Sequence, residues 1–148
     1  NGCGYPATKG EIIMQMKRLT FSDEEIVELS KLLKEREKVD TTCTPQISGI
    51  WSHNENWETE LRLLLLYPYR VTVSRVCFIH KRQGIMTEAL DFLIRFCRKH
   101  GIQNICIQSV ETQELAAFCV KNGFTPNPNA SFESRFGFIA GDYLLGID

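Results

Sequence analysis

The sequence predicts an α/β fold (α+β by some schemes), with one twisted mixed β-sheet and helices on both of its faces. Three observations lead there. The middle third alternates apolar and polar residues at period two between turn residues, the mark of an antiparallel meander. The last half alternates strand-length apolar runs with amphipathic stretches, and strand–helix–strand crossovers favour parallel pairing. The helical stretches carry cap residues at Ser22, Thr87 and Thr112 and glycine stops at Gly101 and Gly123. At 148 residues, with 43% hydrophobic and 24% charged, the chain is large enough for about one domain with a core of its own. Residues 1–148 read as a single domain, with 1–9 an irregular, small-residue lead-in.

The elements follow in order. Glu11–Leu19 reads as a strand, with Ile12, Met14 and Met16 on one face. Ser22 and Glu25 form a capping box, and a helix runs from there to about Lys38 with Ile26, Leu29 and Leu33 as its apolar stripe. Ile47–His53 is the next strand, Asn54-Glu55-Asn56 a turn, and Trp57–Leu66 the second strand of the meander. Its third strand is Arg70–Ile79. Thr87 caps a helix to His100, where Leu90, Leu93, Ile94 and Cys97 follow helical spacing and Gly101 ends it. A strand follows at Ile102–Val110, then a shorter helix between Thr112 and Gly123, a loop at Asn127-Pro128-Asn129, and one or two strands within Phe136–Ile147 broken at Gly141.

Composition excludes some classes of function. Seventeen Lys and Arg against eighteen Asp and Glu leave a net charge of −1, which argues against a bulk electrostatic grip on nucleic acid. The longest apolar run, Leu63–Tyr67, is far short of the ~20 residues that span a bilayer. Of six cysteines, Cys77, Cys97, Cys106 and Cys119 sit in apolar segments as small hydrophobes, Cys3 and Cys43 look loop-borne, and no CxxC pair offers a metal spacing. Asn1–Gly10 lacks the apolar core of a secretory signal, so the expectation is a reduced, cytoplasmic protein with no metal.

The chemistry concentrates in His80-Lys81-Arg82-Gln83-Gly84-Ile85-Met86-Thr87, between a buried strand and an amphipathic helix. A turn there aims backbone N–H groups at the positive end of the helix dipole, Gly84 permits close approach, and Lys81 and Arg82 add charge. That set suits a pyrophosphate; an ordinary turn with solvated charges has the same composition.

Strand, basic glycine turn, helix, strand and a helix ending in Phe118-Cys119-Val120-Lys121-Asn122-Gly123-Phe124 together resemble the GNAT superfamily of N-acetyltransferases, as a small single-domain member. In that family the turn reads Arg/Gln-x-x-Gly-x-Gly/Ala and the later helix ends in Phe-Tyr-x-x-x-Gly-Phe. The matching positions are Lys81-x-x-Gly84-x-Met86 and Phe118-Cys119-x-x-x-Gly123-Phe124, and the match is best over Val71–Pro126. The resemblance implies a GNAT-like sheet and acetyl-CoA as co-substrate, held by Phe78, Ile79, Lys81, Arg82, Gln83, Gly84, Ile85, Met86 and Thr87. It also implies transfer of the acetyl group to an amine by direct attack in a ternary complex. The partners so implied are an acyl-CoA and a small-molecule or protein amine; apolar run length argues against a membrane and the charge balance against nucleic acid.

Departures from the pattern carry expectations of their own. Met86 stands where Gly or Ala is usual, so its side chain must point away from the phosphates. The turn is short after Ile79, which lets Arg82 exchange roles with Lys81. Cys119 replaces the family's Tyr, as a thiol proton donor or as packing. Glu111, after the strand that follows the first crossover, is the candidate base, with His80 and His53 as alternatives; Asp142 and Tyr143 could face the acceptor. Each has a plain structural reading as well. Arg95, Arg98, Lys99 and His100 complement a helix C-terminus, and Trp51 and Trp57 are expected to pack across their hairpin turn. A binding or regulatory module without turnover is the alternative reading. An exposed C-terminal edge strand points to pairing in a homodimer.

Overall fold

A computed structural model describes residues 19–81 and 83–148. The expected strand at Glu11–Leu19 therefore lies, apart from Leu19, outside the described residues, as does Arg82. The first described helix, α1 (Asp23–Glu37), opens on the expected capping box: Ser22 N–H donates to Glu25 Oε1 at 2.7 Å and Glu25 N–H to Ser22 Oγ at 3.1 Å. Strands β1 (Thr42–Gln46), β2 (Gly49–His53), β3 (Glu60–Leu66) and β4 (Arg70–Cys77) follow. Then come α2 (Ile85–His100), β5 (Asn104–Val110), α3 (Gln113–Lys121), β6 (Thr125–Glu133) and β7 (Ile139–Gly146). They build one seven-stranded sheet in the order β1-β2-β3-β4-β5-β7-β6, in which β4–β5 is the parallel pair and the other neighbours are antiparallel.

The core follows from the alternation. Ile50, Leu61, Leu63, Leu65, Val71 and Val73 are buried on one face of β2–β4, while Trp51, Arg62, Leu64, Thr72 and Arg75 on the other stay half-buried or exposed. At β5 three consecutive residues, Ile105, Cys106 and Ile107, are buried, so the sheet is covered on both faces there. Helices α1 and α2 lie side by side, joined by Arg36–Glu88, by Arg95–Glu28 at 2.8 Å and by His100–Glu25 at 3.1 Å.

Several boundaries differ from expectation, each for a physical reason. Among the described residues Thr42–Gln46 is an edge strand that carries Pro45 and polar residues, so no apolar alternation announces it; it turns through Ile47 and Ser48 into β2. The hairpin turn after β2 runs to Thr59 and not to Asn56, because Asn54 closes it: Asn54 N–H donates to Thr59 O and Thr59 N–H to Asn54 Oδ1, each at 3.0 Å. Trp57 sits in that turn at φ 58° and packs edge-on against Trp51 at 5.5 Å, the contact expected of the pair. Helix α2 begins at Ile85 after Gly84, so Thr87 is in its first turn and is not its cap. Residues Asn127–Asn129 belong to β6, in an irregular stretch between its two paired ends. Gly141 lies within the single strand β7, where a Cβ would meet Ala130 O at 2.2 Å.

Candidate functional site

Strands β4 and β5 part company halfway. They pair from Arg70–Asn104 to Val73–Ile107, yet β4 continues to Cys77 and β5 to Val110. Both carry a bulge at that level. Arg62 faces Arg75 and Leu63 faces Val73, which leaves Ser74 as the extra residue on β4. On β5, Gln108 and Ser109 together oppose Asp142, Ser109 adopts φ 55°, and its N–H donates to Asp142 Oδ1 at 2.8 Å. A bulge bends its strand; beyond the two bulges β3–β4 and β5–β7 stay paired while β4 and β5 no longer pair with each other, so the carboxyl ends of the two parallel strands part, where a crevice would lie. Open α/β sheets place ligands at such crevices.

Residues 78–81 and 83–87 follow directly on the parted end of β4. Phe78 is buried and Ile79 partly exposed. Lys81, Gln83, Gly84 and Thr87 are exposed. Gly84 adopts φ 84°, a left-handed conformation suited to glycine, and a Cβ built there meets nothing within 4 Å. No side chain among the described residues caps α2, and its first backbone bond comes from Glu88 N–H to Gly84 O at 3.0 Å. The N–H groups of its first turn therefore take no carbonyl from their own helix. Ile85 is buried and Met86 packs against the core, pointing inward as the resemblance requires. The open turn and the core side of Met86 thus fit an anionic ligand.

The buried Glu37 carboxylate ties this turn down. It accepts from Ile79 N–H at 2.6 Å, His80 N–H at 2.8 Å, His80 Nδ1 at 3.1 Å and Thr59 Oγ1 at 2.6 Å. Burial alone would raise its pKa, but the hydrogen bonds from Thr59, His80 and Ile79 outweigh that and hold the carboxyl below its ordinary range. The sequence carries one signal for it: Glu37 continues the Leu29, Leu33 spacing at four residues, onto the buried face of α1. A second buried acid, Glu60, lies opposite Cys77; its Oε2 accepts from Trp51 Nε1 at 2.7 Å and from Arg75 Nε at 2.9 Å. Neither acid stood out in the sequence.

The other expected residues fall in different places. Glu111 is exposed in the link from β5 to α3, and the cap at Thr112 is present, its Oγ1 accepting from Leu115 N–H at 3.2 Å. Cys119 is fully buried in the core, where burial pushes its thiol up to about 12. His80 reaches Glu37, and His53 stacks on Trp57 at 3.6 Å. Tyr143 is buried, its hydroxyl donating to Ile139 O at 2.6 Å, and Asp142 is bound to the β5 bulge. Among the described residues, no group of three or more His, Cys, Asp or Glu could hold a metal ion, and no helix is long and apolar enough to cross a membrane.

No family model and no curated protein matches the sequence. Solved structures do match. Ard1 from Thermoplasma volcanium is 11% identical and superposes at a TM-score of 0.50, over 88% of this chain and 96% of that one. The ribosomal-protein-S18-alanine N-acetyltransferase of Escherichia coli is 12% identical over 88% and 92% of the two chains, also at 0.50. A probable acetyltransferase of the GNAT family from Chromobacterium violaceum is 13% identical at 0.50; 68% of this chain matches it, spanning 58% of that chain. This chain therefore has the fold of the GNAT-family N-acetyltransferases.

Proposed function

We propose that the chain binds acetyl-CoA and transfers its acetyl group to an amine. The observation that carries this reading is the parting of β4 and β5 directly before the glycine turn that opens α2. Beyond Val73, the β5-facing edge of β4 leaves the ladder. Its backbone groups can pair with an extended ligand as they would with another strand. The turn from Lys81 through Arg82, Gln83, Gly84, Ile85 and Met86 to Thr87 would hold the pyrophosphate on amides and basic side chains.

Acetyl-CoA supplies a thioester as acyl donor; the chain's own groups do the rest. N–H groups at the end of β4 polarise the thioester carbonyl. The crevice holds the amine against it, and such orientation supplies much of the rate. Glu111 takes the amine proton, directly or through water. Cys119 occupies the position from which the resemblance draws a proton donor, and its thiol stays protonated; with orientation and carbonyl polarisation in place, a dedicated acid is not essential. Among the described residues Cys43, Cys77, Cys97, Cys106 and Cys119 are free thiols, which suits a reduced, cytoplasmic setting. A second copy would pair along β6, an edge strand beside exposed Phe132 and Phe136; a monomer in sedimentation equilibrium removes that part.

Thermal unfolding with and without acetyl-CoA, beside a Gly84→Glu variant, tests the reading. A ligand at one hundred times its Kd stabilises by ~2.7 kcal/mol, so the melt should rise by several degrees in the parent and not in the variant. No shift at millimolar acetyl-CoA removes the reading. A shift without thiol release across an amine panel identifies a binding module without turnover.

A further inference from the structure

We propose that Glu37 is the positioning residue of the Phe78–Thr87 turn: a built-in anion that occupies the first amides of the turn and leaves the later ones for a ligand. This rests on the reading of that turn as the acetyl-CoA site. Three features carry it. The carboxylate is fully buried, with no exposed surface, at the last position of α1. It accepts from two successive turn amides, Ile79 and His80, at 2.6 and 2.8 Å. It also reaches Thr59 Oγ1 at 2.6 Å, in the hairpin turn closed by Asn54.

Two consequences follow. The Ile79 and His80 amides are already taken, so an incoming phosphate must bind further along, in the part of the turn from Lys81 to Thr87. The turn's conformation is also set from outside the β4–α2 connection, by a helix end and a hairpin more than forty and about twenty residues away in the chain. A carboxylate does this where an amide would not. It offers acceptor oxygens to all four donors, whereas the NH₂ of a glutamine would face at least one donor with another.

The test compares Glu37→Gln with Leu33→Ala, a buried apolar position one turn earlier on α1 whose side chain can make no hydrogen bond to the turn. Amide hydrogen exchange at Ile79 and His80, relative to Ile105 in β5, should speed up about tenfold in Glu37→Gln, the equivalent of ~1.4 kcal/mol. Leu33→Ala should change all three alike. Acetyl-CoA affinity should fall about tenfold in Glu37→Gln, and Glu37→Asp should recover part of it. Unchanged relative exchange at the two amides overturns the proposal. If Glu37→Gln does not fold, Thr59→Val serves: it removes one donor, keeps the carboxylate and should raise exchange at the same two amides by a smaller factor, and no change there is equally decisive. A parent that binds no acetyl-CoA ends the acyltransferase reading alone, because the exchange result still decides what Glu37 does.

Discussion

Two glycine turns carry the motif-like parts of this chain, and the structure treats them in opposite ways. At Gly84 the chain opens outward: the glycine faces empty space, α2 starts without a side-chain cap among the described residues, and the neighbouring strands diverge. At Gly123 it closes inward. Asn122 N–H and Asn122 Nδ2 donate to Phe118 O at 3.0 and 2.8 Å, Phe124 N–H donates to Cys119 O at 2.9 Å, and Cys119 and Phe124 are buried. Similar sequence punctuation thus has two outcomes, first-turn amides that take no carbonyl from their own helix at Gly84 and a turn tied to the helix end by several hydrogen bonds at Gly123. What separates them is whether the polar groups around the glycine find partners within the protein.

That contrast can be broken first at the seal. Phe124→Ala removes a side chain that is 3% exposed and should cost about 3–5 kcal/mol, read by denaturant unfolding; a loss below about 1 kcal/mol would mean the seal is loose. The open turn should be far more tolerant. Gly84→Ala adds a methyl group that meets nothing within 4 Å, so only the left-handed backbone is strained, at about 1–2 kcal/mol. A larger loss would show that the turn is packed and not open. The last effect is gradual. Glu37 is held below its ordinary value of 4.5, so the folded state gives up that proton more readily than the unfolded chain. Its contribution is therefore full above the unfolded value and is lost as pH falls through the folded value. Denaturation midpoints measured downward from pH 6 should fall on the acid side, and less steeply in Glu37→Gln.

Much of the fold was legible along the chain. The capping box at Ser22, the Gly101 stop, the Thr112 cap and the Leu61–Leu63–Leu65 alternation are local features, and local features survive folding. The edge strands among the described residues were harder to read. Thr42–Gln46 and Thr125–Glu133 contain prolines and exposed polar residues, because an edge strand has few hydrophobic positions to fill. The glycine turn itself was visible, but Glu37, its internal partner, was not. That contact spans more than forty residues, and in sequence Glu37 looks like one more acid at the end of a charged helix.

Residue order alone was enough for the described helices, the central strands, the mixed sheet and the turn at Gly84, because periodicity, caps and glycine freedom act over a few neighbours. The crevice and its support required the assembled sheet. The bulges at Ser74 and at Gln108–Ser109 exist only relative to the strands they oppose, and so does the end of β4–β5 pairing beside them. The burial that keeps the Cys119 thiol protonated, and the convergence of Thr59, Ile79 and His80 on one carboxylate, are likewise long-range. Such contacts bring distant segments into a water-poor interior, where an unpaired charge is costly and a paired one holds its neighbours in place.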